Sequence, residues 1–66
     1  MALTVNGLPQ TFASPLNIAE LIAALDLQGK RVAVERNGEI VPRSRFLLQG
    51  VEDGDTLEIV AAVGGG

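Results

Sequence analysis

The chain ends in Gly64-Gly65-Gly66, and the chemistry open to its residue types converges on the carboxylate of Gly66. Cysteine and histidine are both absent, so there is no thiol nucleophile, imidazole base or soft metal ligand. Without histidine, Ser14, Ser44, Thr4, Thr11 and Thr56 have no partner to build a hydrolase triad. What remains to titrate is carboxylate, lysine and arginine, and Asp53 and Asp55 read as turn formers rather than an acid/base couple. The sequence therefore predicts a protein that is not an enzyme, with no metal site, whose reactions are catalysed by partners. Three successive glycines lose much backbone freedom on ordering and stabilise a small fold poorly. Lacking Cβ atoms, they can thread a channel too narrow for any side chain. Residues 64–66 are thus predicted to be a flexible tail, with Gly64 and Gly65 threading a partner's active site and Gly66 presented there as the substrate carboxylate.

The elements that must carry this tail are legible upstream. Asn6-Gly7 and Asn37-Gly38 each lie between short apolar segments, and Asn-Gly favours the type I′ hairpin turn because both central residues need positive φ. A two-residue loop at the first pair sets Val5 against Leu8, Leu3 against Gln10 and Met1 against Phe12, all on one face. The same construction at the second pair sets Val34 against Val41 on one face and Glu35 against Ile40 on the other.

Between the hairpins, Asn17 can cap a helix, Glu20 can complete a capping box, and Leu16 can staple against Leu21. Ile18, Leu21, Ile22 and Leu25 form one apolar stripe, with Pro15 barring earlier entry and Gly29 expected to provide the stop. A single stripe places the helix on one face of a sheet. After Pro42, the segment 43–46 reads as a short turn or 3₁₀ piece anchored by Phe46. Asp53-Gly54-Asp55 then launches a last strand over 57–63.

In that strand Leu57, Ile59 and Ala61 alternate with Glu58, Val60 and Ala62. The second set is half apolar next to the tail, which predicts a partner-docking face at Val60, Ala62 and Glu58. The order ββαββ describes an α+β ubiquitin-like β-grasp: a mixed sheet of four to five strands, one helix on one face, and first and last strands parallel at the centre. The domain is expected over residues 1–63, with the tail at 64–66.

Size and charge bound the partners. At 66 residues the chain holds one domain near the lower limit for folding without disulfides or metal. Its net charge of −3 disfavours nucleic acid and anionic membranes. The acidic residues Glu52, Asp53, Asp55 and Glu58 gather ahead of the tail, where a basic partner surface would suit them. The N-terminal residues show no basic start followed by an apolar stretch and cleavage site, so a cytoplasmic location is expected, as a monomer when free.

A chain ending in Gly-Gly with this element order resembles the sulfur carriers of cofactor biosynthesis. The segment Val34-Glu35-Arg36-Asn37-Gly38-Glu39-Ile40-Val41-Pro42-Arg43, followed by Asp53-Gly54-Asp55 and Val63-Gly64-Gly65-Gly66, resembles the signature of the ThiS family of thiamine-pathway carriers across essentially the whole chain. The resemblance implies that a ThiF-like enzyme uses ATP to adenylate Gly66 and that the carrier itself binds no cofactor. A cysteine desulfurase or other persulfide donor then supplies sulfur, giving a C-terminal thiocarboxylate. A ThiG-like thiazole synthase receives that sulfur for the thiazole ring. The lack of cysteine is consistent, since an internal thiol could divert the sulfur. Competing readings are the small subunit of molybdopterin synthase, a protein-tagging modifier that joins Gly66 to lysine, and a ubiquitin-like binding module with an idle tail. Chain length and the segment 34–43 tell against the first, and the three glycines against the last.

Overall fold

The computed structural model describes residues 1–13 and 15–61. The sequence forms β1 (Ala2–Val5), β2 (Leu8–Thr11), α1 (Ile18–Ala24), β3 (Val32–Arg36), β4 (Glu39–Val41), a 3₁₀ turn (Arg43–Arg45) and β5 (Thr56–Ala61). The five strands make one sheet in the order β2-β1-β5-β3-β4. Strand β5 is therefore central, parallel to β1 on one side and antiparallel to β3 on the other.

Both hairpins have the expected register, with Val5 opposite Leu8 and Leu3 opposite Gln10 in one, and Val34 opposite Val41 and Glu35 opposite Ile40 in the other. The turns adopt the left-handed conformation that selects Asn-Gly, with φ of 51° and 80° at Asn6 and Gly7 and 51° and 87° at Asn37 and Gly38. One consequence of the sheet order was not visible in the pattern. Strand β2 is an edge strand, so Leu8 shares its face with Val5 yet is 63% exposed.

Helix α1 starts as its sequence dictates. The Glu20 backbone N–H donates to Asn17 Oδ1 at 2.8 Å and the Asn17 N–H donates to Glu20 Oε1 at 2.9 Å, a complete capping box. Ile18, Leu21 and Ile22 are buried, and Leu16 and Leu25 pack against the same core. The helix stops well before Gly29. Asp26 takes the left-handed position at φ 60°, its N–H donating to Ala23 C=O and the Leu27 N–H donating to Ile22 C=O. That pair of bonds is a Schellman motif, with the aspartate where glycine is commoner. Gly29, at φ 80°, serves instead in the loop to β3.

The core lies between α1 and one face of the sheet. Leu3 and Val5 of β1, Val34 of β3, and Leu57 and Ile59 of β5 meet Ile18, Leu21 and Ile22. Phe46, expected to anchor segment 43–46, closes the end of this layer, and Val51 joins it. Backbone bonds tie the intervening loop to the helix entry, from Ile18 N–H to Gln49 C=O, Ala19 N–H to Phe46 C=O and Val51 N–H to Leu16 C=O. No helix among the described residues is long and apolar enough to cross a membrane.

Candidate functional site

The terminal residues Gly64, Gly65 and Gly66, together with Ala62, lie outside the described residues, so the site is built from the strand that leads to them. Strand β5 alternates as the sequence requires. Leu57 and Ile59 are 0% and 3% exposed, whereas Val60 is 67% exposed and Glu58 also faces solvent. A valine that exposed on the central strand of a sheet has no packing role in the domain, which makes it a candidate contact for another surface.

The register shows what surrounds it. Val60 lies opposite Ala33 and Glu58 opposite Glu35, while Glu35 in turn pairs with Ile40 at 67% exposure. The sheet face away from the helix is thus an apolar strip, Val60, Ala33 and Ile40, beside two carboxylates directly across from each other. A shallow groove beside this strip is lined by Arg31, Val32, Ala33, Val60 and Ala61. Like charges placed opposite in a sheet disfavour pairing, so Glu35 and Glu58 form a site that a cation from a partner would stabilise. Ala33, Glu35 and Ile40 were absent from the sequence reading of this face. The hairpin register already placed Glu35 and Ile40 together on the face opposite Val34 and Val41, but nothing local said that β3 is the neighbour of β5.

The acidic residues before β5 do not join that face. Asp55 is only 6% exposed and points inward. Its Oδ2 accepts from Arg36 Nε at 2.6 Å and from the Glu52 N–H at 2.8 Å, and its Oδ1 accepts from Asn37 Nδ2 at 3.0 Å. Burial alone would raise its pKa. The Glu52 N–H, Asn37 and Arg36 together outweigh that and hold it below the ordinary aspartate value. Asp53 accepts from the Ala2 N–H at 2.7 Å, and Glu52 sits 3.8 Å from Arg36. Of the acidic group noted before the tail, only Glu58 is on the apolar face; Asp53 and Asp55 are turn formers, with Asp55 also a buried anchor.

Both Asn-Gly turns grip β5. Asn37 holds its start, donating from its N–H to Thr56 C=O at 2.8 Å and accepting from the Thr56 N–H at its Oδ1 at 2.9 Å. Asn6 holds its later half, with Oδ1 accepting from the Ile59 N–H at 2.7 Å and Nδ2 donating to Ile59 C=O at 2.9 Å. The strand carrying the tail is fixed on both edges by side chains as well as by its neighbours.

Among the described residues, one capped helix on a five-stranded mixed sheet, with parallel terminal strands at its centre, defines a ubiquitin-like β-grasp protein. The crystal structure of thiamine biosynthesis protein ThiS from Geobacter metallireducens superposes with a TM-score of 0.84 at 45% identity, covering 100% of both chains. Residues 3–66 match the ThiS family, and the chain belongs to it. It is 45% identical over 49 residues to the sulfur carrier protein ThiS of Bacillus subtilis (strain 168), covering 74% of each chain. It is also 46% identical over its 66 residues to a thiazole synthase of Paramagnetospirillum magneticum, and there spans 20% of the longer protein's length.

Proposed function

We propose that this protein is a sulfur carrier of thiamine biosynthesis whose working group is the carboxylate of Gly66. The observation that carries this reading is a family match that runs through residue 66 and so includes all three glycines. The name of the Bacillus subtilis relative supports the carrier role, and the thiazole synthase that contains a similar stretch supports thiazole formation as the destination of the sulfur.

The chemistry follows from the weakness of a carboxylate as an acyl donor. In a ThiF-like partner, a Gly66 carboxylate oxygen attacks the α-phosphorus of ATP, giving the acyl-adenylate and releasing pyrophosphate. A persulfide sulfur, from a cysteine desulfurase or another donor, adds to the activated carbonyl carbon and expels AMP. A thiol then cleaves the S–S bond by exchange and leaves the thiocarboxylate. A ThiG-like synthase takes up the sulfur, and the carboxylate is regenerated. This chain's own part is to dock and to present: it supplies no acid, base or nucleophile other than its terminus.

The test is to incubate the protein with ATP, a cognate adenylating enzyme and a persulfide donor, and to fragment the product by mass spectrometry. One oxygen of Gly66 is expected to be replaced by one sulfur. An unmodified terminus under conditions where a known carrier is thiocarboxylated would defeat the assignment.

Docking is assigned to the face carrying Val60, Ala33 and Ile40 beside Glu58 and Glu35. Val60→Asp replaces an exposed apolar contact by a third carboxylate. It is expected to weaken binding to the adenylating enzyme about tenfold or more. Since Val60 supports no core packing, the circular dichroism spectrum and thermal midpoint should barely change. Unaltered affinity in calorimetry, with the protein folded, would place the docking surface elsewhere.

A further inference from the structure

Asn6 belongs to the β1–β2 turn by sequence, yet its side chain is engaged with β5. Backbone bonds join β1 to β5 from Thr4 N–H to Asp55 C=O and from Asn6 N–H to Leu57 C=O, both at 2.9 Å. The next β5 residue facing this edge is Ile59, where the backbone of β1 has already turned away at Gly7. The Asn6 carboxamide takes over there, accepting from the Ile59 N–H and donating to the Ile59 C=O. It reproduces the two bonds that a neighbouring strand's backbone would make and adds one rung to the parallel ladder. That rung lies two residues before Ala61, the last residue of the central strand β5.

Turn geometry alone does not call for this residue. Glycine and aspartate also tolerate the φ of 51° found at Asn6. Of these three residues only asparagine, with its carboxamide, can both donate and accept, whereas a carboxylate only accepts.

We propose that Asn6 is a positioning residue for the tail, acting through Ile59 to set where and in which direction the chain leaves the sheet; this rests on the carrier reading above. A docked carrier whose tail root is displaced still binds through the Val60 face but delivers Gly66 off target, so the loss falls on turnover rather than on affinity.

Three full-length variants test this. Asn6→Gly keeps the turn and removes the carboxamide. Asn6→Asp keeps the acceptor for the Ile59 N–H and sets a carboxylate oxygen against the Ile59 C=O. Ile18→Val, at the core-facing start of α1, is the destabilised control. In Asn6→Gly the Ile59 amide is expected to exchange about tenfold faster relative to that of Val34. The kcat for adenylation should fall about tenfold while KM stays within about threefold. Asn6→Asp should behave similarly, and Ile18→Val should keep native kcat.

Native exchange at Ile59 in Asn6→Gly, or native kcat with that amide opened, would reduce Asn6 to a turn former and overturn the proposal. If the adenylating enzyme rejects the native chain itself, the carrier reading fails instead. The positioning role is then decided by backbone chemical shifts of Val60 and Ala61 in the free protein. They are expected to move toward random-coil values in Asn6→Gly, and unchanged shifts would refute it.

Discussion

Adding one alanine after Gly66 is expected to lower the rate of thiocarboxylation about 100-fold or more, the scale on which displacement of a reacting group by an ångström or so acts. The added residue moves the reacting carboxylate one residue further along the channel and places a methyl group where a glycine-lined path has no room. Every polypeptide ends in a carboxylate of similar intrinsic reactivity, so position is what distinguishes this one. The extension touches neither the core nor the face around Val60, and affinity for the adenylating enzyme should therefore change much less than turnover. Rates from mass spectrometry, set beside dissociation constants from calorimetry, separate the two effects. Thiocarboxylation of the extended protein at the native rate would show that the enzyme does not measure the tail, and the idle-tail module would become the better reading.

Replacing Asp55 by alanine should be among the most damaging single changes to the domain. It leaves the Arg36 guanidinium, Asn37 Nδ2 and the Glu52 N–H without their shared acceptor. Removing one partner of a buried ion pair destabilises by about 3–5 kcal/mol. Small domains have total stabilities in the lower part of a range of about 5–15 kcal/mol, so most of that margin would be lost. Urea denaturation measures this directly, and a loss below about 1 kcal/mol would show that water replaces the carboxylate at little expense.

The same residue sets an acid response. Because its folded pKa is lowered, the Asp55 contribution is fully present above the unfolded pKa, about 3.9. It is lost as pH falls from there through the lower folded value. Native protein should therefore lose stability below about pH 4 by more than Asp55→Asn does, since the amide does not titrate in this range.

Local signals in the sequence were sufficient wherever a few neighbouring residues decide the outcome. The Asn-Gly pairs set both hairpin registers, Asn17 and Glu20 set the helix start, and the stripe at Ile18, Leu21 and Ile22 chose its buried face. The absence of cysteine and histidine, together with three terminal glycines, leaves Gly66 as the group in the sequence best suited to chemistry. The helix end was less secure, because Asp26 in a Schellman motif competes with Gly29 through hydrogen bonds that composition does not reveal.

What only the tertiary structure decided are the relations between residues far apart in the chain. Strand order made β3 the neighbour of β5, and so placed Ala33, Glu35 and Ile40 beside Val60 and Glu58. It also turned Asp55 from one of four clustered acidic residues into a buried anchor for Arg36 and Asn37, and brought the Asn6 side chain to Ile59, 53 positions away. The physical reason is that periodicity fixes which face of an element is apolar, whereas its neighbours are fixed by the joint burial of all the elements. A polar side chain takes its role from whichever partner that arrangement delivers.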